Sequence, residues 1–544
     1  MRWIPGPGTV KRRDFLAAAS GVATTAAFAK PAAFANPIWP QQSRPADHFA
    51  TGTAFAVTST SREATAAAVS ALKAGGNAAD AYMSAAIAQT VSEIGLTSIA
   101  GAFGIHYFDA KSRKTTSVLG RLGPAKAETY DFERDSPVTQ TGRAMPVPGF
   151  IAGLHAAHQK YGRLPWSKLF TPAIRHAEEG FLVNPNIIEG AKRRGVRHPE
   201  GKKIWSKDGR MLQPGQPLVQ PEAAAVLNAV ASGGPDAFYE GEFARNYVRR
   251  SQSDGGKITL EDFKGWKQLV NEKPREAVGD YRGYQMISGD LVIYALHLNE
   301  ALDLRATGSS AKKPESAFKQ IRIMEEVFQS TKVHAKEKDG RFTDPDYARR
   351  RADFVLNSRQ RPLTLDAIFN TCFLVARDKD GNVAWGTHSI NTPTAFGAGI
   401  VVDGVYAAHA MNREHVLGNG GSAPGISTSY ALFKDGNPRL VVGSPGFGFV
   451  HGPYQYGTGI MEWNLSATAA MNLPRFSLPN REGVSVFEQH FDPSVFEMLE
   501  NRKIKFSRSR PKTSTGLVGA LKIDTDSTMQ VVQDGRRIGF AKAE

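Results

Sequence analysis

The chain has 544 residues, more than one ordinary hydrophobic core supports, so two folding units or one large layered domain are expected. Hydrophobic residues make up 41% and charged residues 22%, the balance of a globular protein rather than a disordered or fibrous one. The net charge of +15 favours anionic partners, but no basic stripe interleaved with aromatic residues accompanies it, so nucleic acid is not expected as a partner.

The N-terminus has the three parts of an export signal. Residues 11–16 (KRRDFL) contain two adjacent arginines, and an alanine-rich apolar stretch follows up to Ala29. Small-x-small cleavage patterns end at Ala29 and at Ala35. Because the stretch is shorter than the roughly 20 residues of a membrane span, we predict a twin-arginine signal peptide over residues 1–35. The mature protein is then periplasmic or secreted, and no integral membrane segment is expected.

Helical patterns dominate the chain up to about residue 360. A short strand is predicted over residues 53–59, and the alanine-rich helical stretch at 62–89 is broken by the Gly-Gly-Asn at 75–77. A hairpin with its turn at residues 109–113 comes next. Further helices are predicted at 148–161, at 166–180, from 259 onward and within 309–357.

Strand patterns dominate the rest of the chain. The predicted strands cover residues 371–376, 383–390, 399–402, 430–433 and 440–442. Turns rich in Asp, Gly and Asn join them, and a Gly/Ser-rich loop at 418–425 is typical of a mobile segment near a site. The class is therefore α+β, with a mostly helical first part and a strand-rich second part.

Six short segments occur in one order along the chain and carry a family resemblance. They are residues 71–81, 147–154, 161–166, 238–241, 281–284 and 370–382. Together they resemble the gamma-glutamyltranspeptidase family of N-terminal-nucleophile (Ntn) hydrolases, from about residue 53 to the C-terminus. The resemblance implies a four-layer αββα sandwich. It also implies that the precursor cuts itself between Asn370 and Thr371 into a large subunit, residues 36–370, and a small subunit, residues 371–544.

Thr371 is the candidate nucleophile because it begins a strand at the implied cleavage point. A threonine hydroxyl is a weak nucleophile and needs a base beside it. Cleavage creates an α-amino group with a reference pKa of about 7.7–8.0, so one residue supplies both nucleophile and base. The alternative is a β-branched residue that merely starts a strand. Cys372, the single cysteine, is a rival nucleophile, but strand alternation points it to the opposite face as a small buried hydrophobe.

Three further segments resemble the catalytic surroundings of that family. Thr387, Ser389 and Asn391 occupy alternate positions of the next strand, which places them on one face as a polar wall that supports the nucleophile. The turn at 443–448 (GSPGFG) resembles the family's oxyanion turn. Its implied N–H donors are those of Gly446 and Phe447, where the family has a second glycine at the latter position. The implied carboxylate-binding hydroxyls are those of Ser427, Thr428 and Ser429.

Specificity is implied by Arg121 and by a departure at residues 410–413. Arg121 corresponds to the family's carboxylate-binding arginine, although Leu122 replaces the usual acidic neighbour and a surface arginine is the alternative. Where the family holds the substrate ammonium with amide and acidic groups, this chain has Ala410, Asn412 and Arg413. Asn412 remains a candidate substrate-binding residue. Because a cation at Arg413 repels an ammonium, an acyl group without a free α-amine is expected, as in relatives such as cephalosporin acylases and oxamate amidohydrolases.

The sequence therefore predicts a self-processing amidohydrolase or acyltransferase that cleaves gamma-glutamyl or related carboxyl-bearing amides through an acyl-Thr371 intermediate. Its substrate partner is a small anionic amide. The alternatives are an amidase like the cephalosporin or glutaryl acylases, and a non-catalytic family member that binds an anionic small molecule. No cofactor is expected. No metal is expected either, because His155 and His158 lack an acidic third ligand and are predicted to be surface histidines.

Overall fold

The computed structural model describes all of the chain except its first 46 residues and several shorter segments. The described residues are 47–131, 137–194, 196, 198–287, 289–336, 340–357, 371–390, 399–409, 429–446, 450–480, 482–511, 515–537 and 539–544. The predicted signal peptide and the Gly/Ser-rich loop at 418–425 lie outside them. All the described residues belong to one compact unit, Pro40–Glu544, so a large layered domain is the correct alternative.

Short strands are spread along the whole described chain. In chain order they are β1 (Phe49–Gly52), β2 (Ala56–Ser59), β3 (Phe103–Asp109), β4 (Lys114–Gly120), β5 (Phe181–Leu182), β6 (Ser206–Lys207), β7 (Arg210–Met211), β8 (Pro217–Leu218), β9 (Val270–Arg275), β10 (Ala277–Tyr281), β11 (Tyr284–Ile287), β12 (Cys372–Arg377), β13 (Val383–His388), β14 (Val401–Val402), β15 (Val405–Tyr406), β16 (Ser429–Lys434), β17 (Asn437–Gly443), β18 (Ser485–Glu488), β19 (Phe506–Ser509), β20 (Gly519–Ile523), β21 (Met529–Gln533) and β22 (Phe540–Ala543).

Helices occur singly and in runs between these strands, and most of them precede residue 360. They are α1 (Arg62–Lys73), α2 (Ala78–Ser92), α3 (Phe150–Tyr161), α4 (Trp166–Glu179), α5 (Pro185–Arg194), α6 (Pro199–Ile204), α7 (Pro221–Tyr239), α8 (Glu242–Gln252), α9 (Leu260–Lys264), α10 (Asp290–Ala301), α11 (Leu304–Thr307), α12 (Pro314–Lys336), α13 (Pro345–Asn357), α14 (His451–Met461), α15 (Ala467–Asn472) and α16 (Pro493–Asn501). Among the described residues, no helix is both long enough and apolar enough to cross a bilayer.

Two seven-stranded antiparallel sheets form the centre of the described structure. Sheet 1 has the order β1-β21-β20-β17-β16-β11-β10, and sheet 2 has the order β22-β2-β12-β13-β3-β4-β9. Their facing surfaces are apolar and interdigitate, with Phe373 and Trp385 from sheet 2 packing into the same cluster as Val441 and Leu521 from sheet 1. Alternate residues of each strand face outward, as the two-residue period of a strand requires.

Helices cover the outer face of each sheet. Helices α1 to α4, α7 and α8 share one core with the outward residues of sheet 2, which include Ile105, Leu374 and Ala384. Helices α10, α12 and α13 share another core with sheet 1, together with α14, α15 and α16. The predicted four-layer αββα sandwich is therefore confirmed.

Helix α2 begins where the Gly-Gly-Asn segment predicts a break. Gly75 has a φ of 90°, which ends the preceding helix, and Asn77 then caps α2 in a reciprocal box with Asp80. The Asp378 carboxylate, in the turn after β12, accepts from the first N–H of the helix at Ala78 over 2.9 Å. This acceptor at the positive end of the helix dipole ties α2 to the strand that follows Thr371.

Each sheet combines strands from before and after Thr371. Sheet 2 takes β2, β3, β4 and β9 from the chain before residue 371, and β12, β13 and β22 from the chain after it. The expectation of a mostly helical first part is confirmed, since most helices precede residue 360, but that part also supplies strands to both sheets. The predicted strand at 53–59 is real only from Ala56, since the N–H groups of residues 53–55 instead donate to the carbonyl of Glu544.

Candidate active site

Thr371 lies at the entry to β12, a central strand of sheet 2. The next odd-numbered residues, Phe373 and Val375, pack between the two sheets, so alternation places the Thr371 side chain on that same inner face. Only 6% of the residue is exposed, and its Oγ1 donates a hydrogen bond of 2.9 Å to the carbonyl of His388. The hydroxyl therefore has one defined orientation, at the edge of the space between the sheets.

Three residues continue the strand register into a single row beside Thr371. Cys372 pairs with His388, so Thr371 stands opposite Ser389 one position further on. Ser389 forms an isolated antiparallel β-bridge with Ala102. Because Phe103 of β3 pairs with Gly120 of β4, Ala102 stands opposite Arg121 one position further on. Residues directly opposite one another in antiparallel strands share a face, so Thr371, Ser389, Ala102 and Arg121 all face inward.

Arg121 is a half-buried arginine without a described counterion. Its backbone N–H donates to Leu269 over 2.9 Å, and its Nε is buried with no hydrogen-bond partner among the described residues. A buried guanidinium nitrogen is costly to leave unpaired, so it favours a ligand that supplies an acceptor. This burial disfavours the simple surface arginine considered above.

The loop that carries Arg121 is held in place by close packing. A Cβ atom on Gly149 would lie 2.0 Å from the Arg121 carbonyl oxygen, so the segment at 147–154 requires a glycine there. Leu122, which replaces the family's acidic residue, is buried against Ile390 and Ala408. This small apolar cluster draws the Arg121 loop, the end of β13 and the segment after β15 together.

The Gly-Ser-Pro-Gly turn begins directly over β12, the strand that follows Thr371. Gly443 ends β17 in sheet 1, and a Cβ atom there would lie 2.1 Å from Cε2 of Phe373 in sheet 2. Gly446 has a φ of 122°, a conformation that residues with a Cβ rarely adopt. Ser429 pairs with Gly443 across β16 and β17, which places it beside this turn.

The polar wall is described only in part. Thr387 pairs with Phe373, which places it on the inner face two positions from Ser389. Strand β13 ends at His388 rather than at Ile390, and only the bridge between Ser389 and Ala102 continues its register. Strand alternation therefore does not place Asn391. The remaining predicted site residues fall outside the described residues, and they are Asn370, Asn391, Ala410, Asn412, Arg413, Ser427, Thr428 and Phe447.

Cys372 points away from this site, as strand alternation predicted. Its side chain belongs to the core between sheet 2 and the helices, and it is fully buried. Burial raises the pKa of the thiol well above its usual value, and the nearby Glu93 carboxylate adds to the shift. Both effects favour the unreactive thiol over the thiolate that a nucleophile requires.

His155 and His158 are packing residues rather than exposed ones. Both rings lie edge-on to Trp166, at centroid distances of 5.5 and 5.4 Å, and His158 Nε2 lies 2.8 Å from the Leu164 carbonyl oxygen. Within the described ranges, no three His, Cys, Asp or Glu side chains are grouped so that they could hold a metal ion.

Three residues near the site were not identified from the sequence. Ala102 supplies the small side chain between Ser389 and Arg121 in the row described above. Glu93 is a buried acid at the end of α2, and Arg537 forms an ion pair with it. Burial raises the pKa of Glu93 to about 7, although Arg537 opposes the shift. In the sequence, Glu93 stands out only as a single acidic residue in an apolar stretch. Its partner Arg537 could not be found from local patterns because it lies 444 positions away.

Solved structures with the same fold place this architecture in a known class. The fold matches the cephalosporin acylase from Bacillus halodurans with a TM-score of 0.75 and 23% identity, covering 94% of this chain and 99% of that one. It matches the Helicobacter pylori gamma-glutamyltranspeptidase with a TM-score of 0.50 and 26% identity, covering 56% of this chain and 92% of that one. The architecture is that of an Ntn hydrolase.

Sequence relatives then identify the family. Residues 64–544 match the gamma-glutamyltranspeptidase family, and the chain belongs to it. It is 29% identical over 528 residues to the glutathione hydrolase proenzyme of Escherichia coli strain K12, covering 85% of this chain and 88% of that one. It is 28% identical over 514 residues to an acylase proenzyme of Pseudomonas sp. strain SE83, covering 86% and 89%. The chain is thus an enzyme of the Ntn hydrolase class, and its relatives are made as proenzymes.

Proposed function

We propose that this protein is a self-processing amidohydrolase that passes an acyl group from an amide to Thr371 and then to water. The observation that carries the proposal is the position of the Thr371 hydroxyl. It lies on the inner face of sheet 2, in one row with Ser389 and Arg121, and the turn containing Gly446 lies over its strand. In this proposal Thr371 is the nucleophile, Ser389 the supporting hydroxyl and Arg121 the carboxylate-binding group, and the Gly446 N–H is the oxyanion donor.

The same hydroxyl serves twice in the proposed mechanism. It first attacks the carbonyl of Asn370, which moves the upstream acyl group from the amide nitrogen to Oγ1 and frees the Thr371 α-amino group. Water then hydrolyses this ester, which separates the two subunits and restores the hydroxyl. That amine then takes the hydroxyl proton when Oγ1 attacks a substrate carbonyl, so nucleophile and base share one residue. The N–H of Gly446 stabilises the negative charge that develops on the carbonyl oxygen. The amine product leaves, and water releases the acyl group from Thr371.

The acyl group carries a carboxylate at its far end in this proposal. Thr371 and Arg121 are separated by three strand spacings, about 14 Å between backbones, which an arginine side chain and a short dicarboxylic acyl chain together span. The unpaired buried Nε of Arg121 supports a carboxylate ligand. The cation at Arg413 and the apolar Ala410 disfavour a substrate ammonium, so a glutaryl-like group is favoured over gamma-glutamyl.

A pair of matched anilides tests this function. We expect the processed enzyme to hydrolyse both glutaryl and gamma-glutamyl anilide, with kcat/KM at least tenfold higher for glutaryl, equivalent to about 1.4 kcal/mol of transition-state binding. The two substrates differ only by the α-amine, so the ratio reports the ammonium site directly. A tenfold advantage for gamma-glutamyl contradicts the substrate class. Binding of glutarate without turnover of either anilide overturns the enzyme mechanism and identifies a non-catalytic anion-binding protein.

We also propose that the precursor is exported through the twin-arginine route, on the basis of residues 11–16 and the apolar stretch that follows. Replacing Arg12 and Arg13 together by lysine keeps the charge but removes the arginine pair. We expect the full-length variant to accumulate inside the cell, with little or no periplasmic protein by cell fractionation and immunoblotting. Exchanging Lys11 for arginine is the matched control and leaves export unchanged. Normal periplasmic accumulation of the double variant rules out this route.

A further inference from the structure

A buried ion pair joins the end of α2 to the crossover between the two sheets. Glu93 follows the last residue of α2 and is fully buried, and Arg537 lies between β21 of sheet 1 and β22 of sheet 2 with 8% of its side chain exposed. Arg537 Nη2 donates to Glu93 Oε2, across 444 positions of sequence. A buried pair of this kind is weak evidence for stability alone, because desolvation offsets most of the attraction.

The second arm of the arginine contacts the turn over the nucleophile strand. Arg537 Nη1 donates a hydrogen bond of 3.3 Å to the carbonyl oxygen of Pro445. That carbonyl and the N–H of Gly446 belong to one planar trans peptide, so they point in opposite directions. A donor that holds the Pro445 oxygen therefore aims the Gly446 N–H away from Arg537.

The Glu93 end of the pair lies behind β12. Glu93 Oε2 lies 4.0 Å from Sγ of Cys372, on the helix side of sheet 2. The Glu93–Arg537 pair thus reaches from behind the strand that follows Thr371 to the turn in the opposite sheet. Gly446, at a φ of 122°, has wide backbone freedom and benefits from such an external restraint.

We infer that the Glu93–Arg537 pair is a positioning device that sets the direction of the Gly446 N–H relative to Thr371. The inference rests on the proposed function for its catalytic consequence, but the restraint on the turn exists independently of turnover. Neither side chain touches the substrate in this arrangement. Both act through the Pro445–Gly446 peptide.

Arg537→Lys and Glu93→Gln test the device, with Arg536→Lys as the matched control. Lysine keeps the charge at position 537 but lacks the planar fork that reaches two acceptors. Removing an oxyanion donor costs about 10²- to 10³-fold in kcat, so misdirecting one is expected to lower kcat about 10- to 100-fold, with KM nearly unchanged. Arg536 contacts Glu488 at 2.6 Å instead, so its lysine variant is expected to keep the parent kcat. An equal loss of kcat in all three variants overturns the inference. A change in KM with kcat at the parent level in the Glu93 and Arg537 variants overturns it too.

Hydrogen exchange separates this inference from the proposed function. The same three substitutions are placed in a Thr371→Ala background, so that every protein is uncleaved and inactive. We expect exchange at the amides of Ser444 and Gly446 to rise about tenfold in the Glu93 and Arg537 variants, and to stay at the parent level in the Arg536 variant. Unchanged exchange in both variants overturns the positioning role even if the wild type is fully active. Faster exchange supports it even if the wild type hydrolyses neither anilide.

Discussion

We expect the Thr371→Ala variant to remain one chain and to lose essentially all amidase activity. The wild type should separate on a denaturing gel into two fragments, with the smaller fragment beginning at Thr371 by N-terminal sequencing. The variant lacks the hydroxyl that attacks the Asn370 carbonyl, and it also lacks the nucleophile for the substrate. Because removing a catalytic nucleophile costs on the order of 10⁴- to 10⁶-fold, kcat should fall to the assay background.

Two neighbouring substitutions decide whether that loss is specific. Thr371→Ser keeps a hydroxyl at the same place and should still be cleaved, although more slowly. Cys372→Ala removes the sole thiol, which is buried on the opposite face of the strand, and should be cleaved and active like the wild type. Cleavage of Thr371→Ala, or an uncleaved Cys372→Ala variant, contradicts the assignment of the nucleophile. A wild-type chain that stays intact on long incubation contradicts self-processing altogether.

Arg121→Ala is expected to lower kcat/KM by about 30- to 5,000-fold for glutaryl and gamma-glutamyl anilides alike. Truncating one partner of a buried charge pair costs about 2–5 kcal/mol, and each 1.36 kcal/mol is a factor of ten in rate. The loss should be similar for the two substrates because both carry the carboxylate and only one carries the amine. The ratio between them therefore stays close to the wild-type ratio.

The fold provides an internal check on the Arg121 result. Its side chain has no described partner, so truncation should leave the melting temperature unchanged or slightly higher. Arg121→Lys keeps the charge without the bidentate fork and should fall between the wild type and alanine variants. Arg245→Ala, a charge removal at an exposed arginine, should leave kcat/KM unchanged. Full activity of a well-folded Arg121→Ala protein refutes carboxylate binding by this residue.

Local sequence patterns predicted the elements that local interactions stabilise. The break at 75–77 was correct because a glycine at positive φ and an Asn cap act within a few residues. The short helix that begins after Thr259 was correct for the same reason, since Thr259 and Asp262 form a capping box. Strand alternation correctly placed the Cys372 side chain on the outer face of sheet 2, toward the helices. The predicted extension of β13 to Ile390 was wrong, because the ladder ends where the chain turns toward Leu96.

By itself, the sequence determined the family, the candidate nucleophile and the face that each side chain of β12 presents. These follow from ordered segments and from a two-residue period, which are properties of neighbouring residues. Only the tertiary structure decided that Thr371 and Arg121 share one row across four strand ends, and that Arg537 joins Glu93 to the turn at Pro445. Those contacts depend on which strands become neighbours, and strand order is set by burial of whole faces between layers rather than by any local pattern.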